Sequence, residues 1–228
     1  MIKGIAFDMD GLMFDTEQLG LDVWAHLGSR HGFEMPRALW LSVFGLRFDE
    51  IQDIIKAHFG PSFPFARYWE ELKRYVDDFV ETGGTPKKPG LVPLLEYLLA
   101  NGYRITVASS TPRSRVEHYM KHAGVRAYFG EIVCGDMVKQ GKPAPDIYLR
   151  AAQVMGLPPE QCIALEDSPR GIRSAYAAGM HPVMIPDLLP ADPETEALLY
   201  AKLSTLFDVI PLLEKTLCRQ TEESRIRK

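Results

Sequence analysis

Five short runs, Gly4 to Phe7, Arg104 to Ala108, Glu131 to Cys134, Cys162 to Leu165 and Pro182 to Ile185, are largely apolar on both faces. A strand of that kind has to be covered on both sides, as in a parallel sheet packed between helices. The runs alternate with stretches of helical spacing, which reads as βαβ units. The expected fold class is α/β, a Rossmann-like doubly wound parallel sheet. With 228 residues, 46% of them hydrophobic, the chain can bury one substantial core and a smaller accessory domain.

That accessory domain is expected between the first and second runs. Leu21, Trp24 and Leu27, then Ile51, Ile54 and Ile55, then Tyr68, Leu72, Tyr75 and Phe79 recur at spacings of three and four, with no strand-like run among them. Such periodicity means amphipathic helices. The sequence therefore divides into a discontinuous core, residues 1–14 and 88–218, and an inserted all-helical cap, residues 15–87. Two linkers bound the cap, Leu12 to Asp15 and the Gly- and Pro-rich stretch from Thr82 to Gly90. Paired linkers suit a lid that opens for substrate and closes to exclude water. Beyond Leu217 the sequence is charged and nearly aperiodic, and residues 219–228 are expected to fray.

A net charge of −4 argues against nucleic acid or an anionic membrane as the main partner. Cys134, Cys162 and Cys218 have neither metal-ligand nor disulfide spacing, which suits buried thiols in a reducing compartment. No apolar stretch approaches the length of a membrane span, and the first strand-like run begins without a preceding signal peptide. The expectation is a cytoplasmic monomer.

Several of the runs lead into polar functional groups. The first is followed by Asp8 and Asp10, two carboxylates two residues apart and ahead of Gly11. On a regular strand both would point to one side and could address one small substrate. Asp-x-Asp is also common in turns, and Gly11 is equally explained as a tight-turn residue. The second run leads into Ser109 and Ser110, the third into Gly141-Lys142-Pro143, and the fourth into Glu166-Asp167-Ser168. Taken singly, Lys142 reads as a solvated charge, and Ser168-Pro169 reads as a helix start with a good N-cap and a proline at the first position. Ser110 or Thr111 could cap the helix that opens after Pro112, whose amides would favour an anion. Four carboxylates in one pocket would repel strongly, by about 4 kcal/mol for a pair roughly 4 Å apart at an effective dielectric near 20. Such a cluster calls for a cation, and an oxygen donor set with a phosphate substrate favours Mg²⁺.

These four motifs, in this order over most of the chain, resemble the haloacid dehalogenase superfamily, and the helical insertion resembles its β-phosphoglucomutase-like phosphatases with a helical cap. The resemblance implies a Mg²⁺-dependent phosphatase acting on small phosphorylated metabolites, sugar phosphates in particular, through an aspartyl-phosphate. It makes Asp8 the nucleophile and Asp10 the general acid/base. It assigns Ser109, Ser110 and Gly11 to phosphate binding and Lys142 to neutralising phosphate and nucleophile. The metal would be held by Asp8, the backbone carbonyl of Asp10 and Asp167, with Glu166 a direct or water-mediated ligand.

For the cap the resemblance points to Arg47, in Phe44-Gly45-Leu46-Arg47, and to Glu17, at the start of the first cap helix. Either could contact substrate, and either could be an ordinary helix-terminus charge. Mutases of this type carry a cap histidine where this chain has Gly20, and neither His26 nor His31 obviously replaces it. That favours hydrolysis over the alternative, a β-phosphoglucomutase-type phosphohexomutase. A third reading, a non-catalytic phosphometabolite-binding protein, is disfavoured because Asp8, Asp10, Ser109, Lys142, Glu166 and Asp167 are all present.

Overall fold

A computed structural model describes residues 1–44, 46 and 48–216, so Arg47, Cys218 and the segment 219–228 lie outside the described residues. Six parallel strands form one sheet: β1 (Gly4–Phe7), β2 (Arg104–Ser109), β3 (Val133–Cys134), β4 (Cys162–Glu166), β5 (His181–Met184) and β6 (Ala201–Lys202). Their order is β3-β2-β1-β4-β5-β6, with β1 paired to both β2 and β4. The chain works outward from β1 on one side and then restarts with β4 on the other.

All five expected runs contain strands. The third is shorter than expected because β3 pairs only with Ala108 and Ser109, while the Thr106 hydroxyl donates to the Glu131 carbonyl at 2.8 Å. A side chain takes the bond a longer ladder would have used. β6 was not expected, since two residues flanked by polar sequence carry no alternation to detect.

Side chains divide the sheet into two faces with period two. Ile5, Phe7, Val107, Ile163 and Leu165 belong to the larger apolar cluster. Ala6, Ala108 and Ala164 line the other face, where their small size admits Ile147, Tyr148 and Ala151 of α7 (Asp146–Met155) and Ala175 of α8 (Pro169–Ala177).

Between β1 and β2 lie α1 (Thr16–His31), α2 (Arg37–Ser42), α3 (Phe48–Phe59) and α4 (Phe65–Gly83), followed by α5 (Leu91–Ala100). α4 buries Phe65, Tyr68, Leu72, Val76 and Val80, a stripe at helical spacing, and Phe65 stacks on Trp24 of α1 with centroids 6.0 Å apart. The two linkers run side by side: Asp15 N donates to Pro86 O and Lys88 N to Met13 O, both at 2.9 Å. Lys88 Nζ ties them to the core through Asp15 at 2.9 Å and Asp187 at 2.7 Å. Buried apolar residues continue from the sheet through Leu12, Met13 and Phe14 into α1 and α4. No helix among the described residues is long and apolar enough to cross a membrane.

Candidate active site

The sheet order puts the chain's reversal point between β1 and β4, and in open α/β sheets ligands bind beyond the carboxyl ends of the strands at such a point. Asp8 follows β1, and Glu166 and Asp167 end and follow β4. Asp8 N donates to Leu165 O at 3.0 Å, which extends the pairing by one residue and fixes the Asp8 backbone. Asp8, Glu166 and Asp167 each bring one carboxylate oxygen within 4.8 Å of the others, and all three are buried.

The expectation that Asp8 and Asp10 share one face of a strand needs correction. β1 ends at Phe7, and the chain then turns, with Met13 N and Phe14 N both donating to Met9 O at 2.9 and 3.1 Å. Gly11 takes φ +82°, and a Cβ there would lie 2.4 Å from Asp167 Oδ2, so both its backbone and its lack of a side chain are required. The two acids consequently have separate partners. Asp8 pairs with Lys142, while Asp10 accepts from Thr16 Oγ1 at 2.5 Å and Thr111 Oγ1 at 2.7 Å. The general-acid candidate is thus held between the start of the insertion and the loop after β2.

Lys142 is buried between two acids, Asp8 and Glu166 Oε1, the latter at 2.6 Å. Glu166 is fully buried and also accepts from Tyr148 Oη at 2.5 Å and Ser168 Oγ at 3.2 Å. Its carboxylate is directed at the lysine. Arg170 donates to the Lys142 carbonyl at 2.5 Å and anchors the loop from behind. Gly171 makes the arrangement possible, because a Cβ there would fall 1.9 Å from Glu166 Cδ. Burial by itself pulls the Lys142 ammonium down, and Asp8 and Glu166 more than reverse it, so the proton is held tightly. Burial pushes Asp8 up to about 8, reinforced by Glu166 and Asp10 against the pull of Lys142. Asp167 is raised well above the usual carboxylate range by burial and then by Glu17, Asp8 and Glu166.

These carboxyls fit a hard divalent cation. The donors are all oxygens and they converge, and burial first, with the neighbouring acids adding to it, raises Asp8 and Asp167 in spite of Lys142. Asp10 contributes no carboxylate to this cluster.

Ser109 is buried at the end of β2, its Oγ accepting from Thr111 N at 3.1 Å, with Ser110 beside it. Ser168 caps α8, accepting from Gly171 N at 3.2 Å, so the helix-start reading of that segment also holds. The capping alternative for Thr111 does not hold: the cap of α6 (Arg113–His122) is Pro112, and Thr111 reaches Asp10. The Arg113 amide at that helix start is taken by Asp136, at 3.2 and 3.3 Å, so it does not face the pocket.

Glu17 lies against the same loop, its carboxyl carbon 3.2 Å from where a Gly11 Cβ would be. Its Oε2 is closed off from solvent and has no partner. Burial, and then Asp10 and Asp187, raise it well above the usual range. His26 meets the Tyr75 hydroxyl at 2.9 Å and His31 meets Glu71 at 2.9 Å, contacts between α1 and α4. Sequence reasoning gave no place in the site to Tyr148, Thr16 or Gly171, and read Thr111 only as a possible cap. Only the tight Ser-Pro-x-Gly spacing after Glu166 hinted at any of them.

A doubly wound parallel sheet with an ammonium between buried carboxylates at its carboxyl edge defines a class: an α/β protein whose candidate site sets a buried cation among acids where such sheets bind ligands. Comparison with known proteins sharpens this. The family model for haloacid dehalogenase-like hydrolases matches residues 2–179. Hexitol phosphatase A of Escherichia coli is 34% identical over 187 residues, covering 80% of this chain and 82% of that protein. Fructose-1-phosphate phosphatase YqaB, also of E. coli, is 31% identical, covering 79% of this chain and 94% of that protein. The crystal structure of CbbY from Rhodobacter sphaeroides in complex with phosphate superposes with a TM-score of 0.77 at 26% identity, covering 92% of this chain and 96% of that one. The chain belongs to the haloacid dehalogenase-like hydrolases.

Proposed function

We propose that this phosphoric monoester hydrolase is a Mg²⁺-dependent phosphatase of small phosphorylated metabolites, sugar and polyol phosphates foremost, and that it works through an aspartyl-phosphate on Asp8. The observation that carries the reading is the separation of the two acids. Asp8 faces the ammonium of Lys142, and Asp10 is held apart by Thr16 and Thr111. A nucleophile and a proton carrier need different surroundings, and here they have them.

In the first step Asp8 attacks phosphorus, the bond from phosphorus to the alcohol oxygen breaks, and Asp10 gives that oxygen a proton. In the second, water attacks phosphorus, Asp10 takes the water's proton, and inorganic phosphate leaves with Asp8 again a carboxylate. Lys142 offsets the repulsion between phosphate and Asp8, and Ser109, Ser110 and the loop at Gly11 bound the phosphate. Asp8, Asp167 and the Asp10 carbonyl would hold Mg²⁺, with Glu166 next to them. When bound, the ion neutralises charge on the phosphoryl oxygens and keeps Asp8 ionised. Residues 15–87 serve as the cap, with Glu17 and Arg47 as its candidate substrate contacts. The E. coli relatives named for hexitol and fructose 1-phosphates support the carbohydrate class.

The test is phosphate release across sugar phosphates, polyol phosphates, nucleotides and an aryl phosphate, with Mg²⁺ and with EDTA, for the wild type and Asp8→Asn. Metal-dependent release that is strongest on sugar or polyol phosphates and abolished by Asp8→Asn is expected. Wild-type turnover by the Asn variant would overturn the mechanism, and product sugar phosphate in place of free phosphate would restore the mutase alternative.

A further inference from the structure

Gly20 is buried on α1, and its surroundings point to a use for its missing side chain. On a helix, residues three and four apart share a face. Thr16 and Glu17 lie four and three residues before Gly20 on α1, and both face the catalytic acids, Thr16 by its bond to Asp10 and Glu17 by its position over Gly11. Gly20 continues that face one turn up. A Cβ at Gly20 would lie 3.7 Å from both Cζ2 and Nε1 of Trp40, so the polar edge of the indole overhangs this glycine.

Trp40 is 6% exposed, and its Nε1 is closed off from solvent with no hydrogen-bond acceptor. A buried indole N–H ordinarily finds a partner. The ring is braced by Trp24 at 5.4 Å, Phe44 at 5.8 Å and Trp69 at 6.0 Å between centroids, in edge-on or tilted packing. It is a rigid donor without an acceptor, beside a position on α1 that has no side chain.

Resting on the phosphatase reading above, we propose that Trp40 is a specificity-determining residue: its indole N–H donates to a hydroxyl oxygen on the carbon skeleton of the substrate, which reaches it across Gly20. This selects polyhydroxylated phosphates over esters that lack such a hydroxyl.

Trp40→Phe keeps an aromatic ring and removes only the N–H. The expected result is a fall of about tenfold in kcat/KM for the preferred sugar or polyol phosphate, the worth of one hydrogen bond, with change under about twofold for p-nitrophenyl phosphate. The loss should fall on KM more than on kcat, as removal of uniform binding does. Gly20→Ala gives a second reading if Trp40→Phe folds poorly. Its methyl clears the indole but crowds the N–H, and it should lower sugar phosphate kcat/KM several-fold while sparing the aryl ester. Trp24→Phe, which removes another unpartnered indole N–H from the same cluster, should leave the substrate ratio unchanged. Equal losses on both substrates in Trp40→Phe and Gly20→Ala, or no loss on either, overturn the assignment. A wild type that releases phosphate from neither ester defeats the underlying phosphatase reading instead.

Discussion

Replacing Lys142 with methionine tests how the buried cluster is balanced. The side chain's length is kept, but Asp8 and Glu166 lose the ammonium between them. Removing one partner of a buried ion pair costs about 3–5 kcal/mol, and two hydrogen bonds to charged groups at about 1.5–3 kcal/mol each give a similar sum. About 4 kcal/mol is a large part of a total stability of about 5–15 kcal/mol. With an m-value of about 2 kcal/mol per molar urea, it should lower the unfolding midpoint by about 2 M. The cost should depend on pH. Asp8 is pushed up to about 8, so near pH 6 it is largely protonated in both proteins and the loss is mainly that of the pair with Glu166. Near pH 9 Asp8 is ionised in the wild type, and its pair is lost as well. Equilibrium urea unfolding in EDTA at about pH 6 and about pH 9 measures both values. A variant within about 1 kcal/mol of wild type at the higher pH, or an equal cost at both, would refute this reasoning.

Gly171→Ala sets a Cβ 1.9 Å from the carboxyl carbon of Glu166, which must swing away from Lys142. Overpacking of about 1–3 kcal/mol and at least a tenfold fall in kcat are expected, read by urea midpoint and phosphate release, and a wild-type rate would count against the role given to Glu166. In metal-free protein, Asp8, Glu17 and Asp167 are all raised above their unfolded values, so the folded state holds extra protons. Their contribution to stability is fully present below about pH 4 and is lost as pH rises through the folded values. Thermal melts in EDTA should therefore fall between about pH 5 and about pH 9, and Mg²⁺ should raise the midpoint more at the alkaline end. Equal Mg²⁺ effects at both ends would contradict the placement of a cation against these acids.

Much of this site was legible because the sequence marks strand ends. Apolar runs that stop at Asp8, Ser109 and Glu166 announce a sheet edge, and a parallel sheet brings its edges together. The sequence signals failed where a contact depends on how the backbone turns after the strand. Asp8 and Asp10 seemed to share a strand face because a strand was extrapolated past Phe7, whereas β1 ends there and the chain turns, giving the two acids different partners. Tyr148 was hidden because it reaches Glu166 only through the docking of α7 on the alanine face of the sheet. Thr16 and Thr111 meet at Asp10 from elements 95 residues apart in number, which no local pattern reveals. Trp40 sits in no motif or periodic stripe drawn from the sequence, and only its place over Gly20 and its unpartnered N–H distinguish it.

The central claim is that the phosphoryl group passes through Asp8. Acid-quenching a reaction with ³²P-labelled sugar phosphate and Mg²⁺, followed by peptide mapping, tests it most directly. The account predicts a transient, acid-stable and alkali-labile label on the peptide containing Asp8, absent from Asp8→Asn. A label on another residue, or single-turnover phosphate release at the wild-type rate by Asp8→Asn, would contradict it.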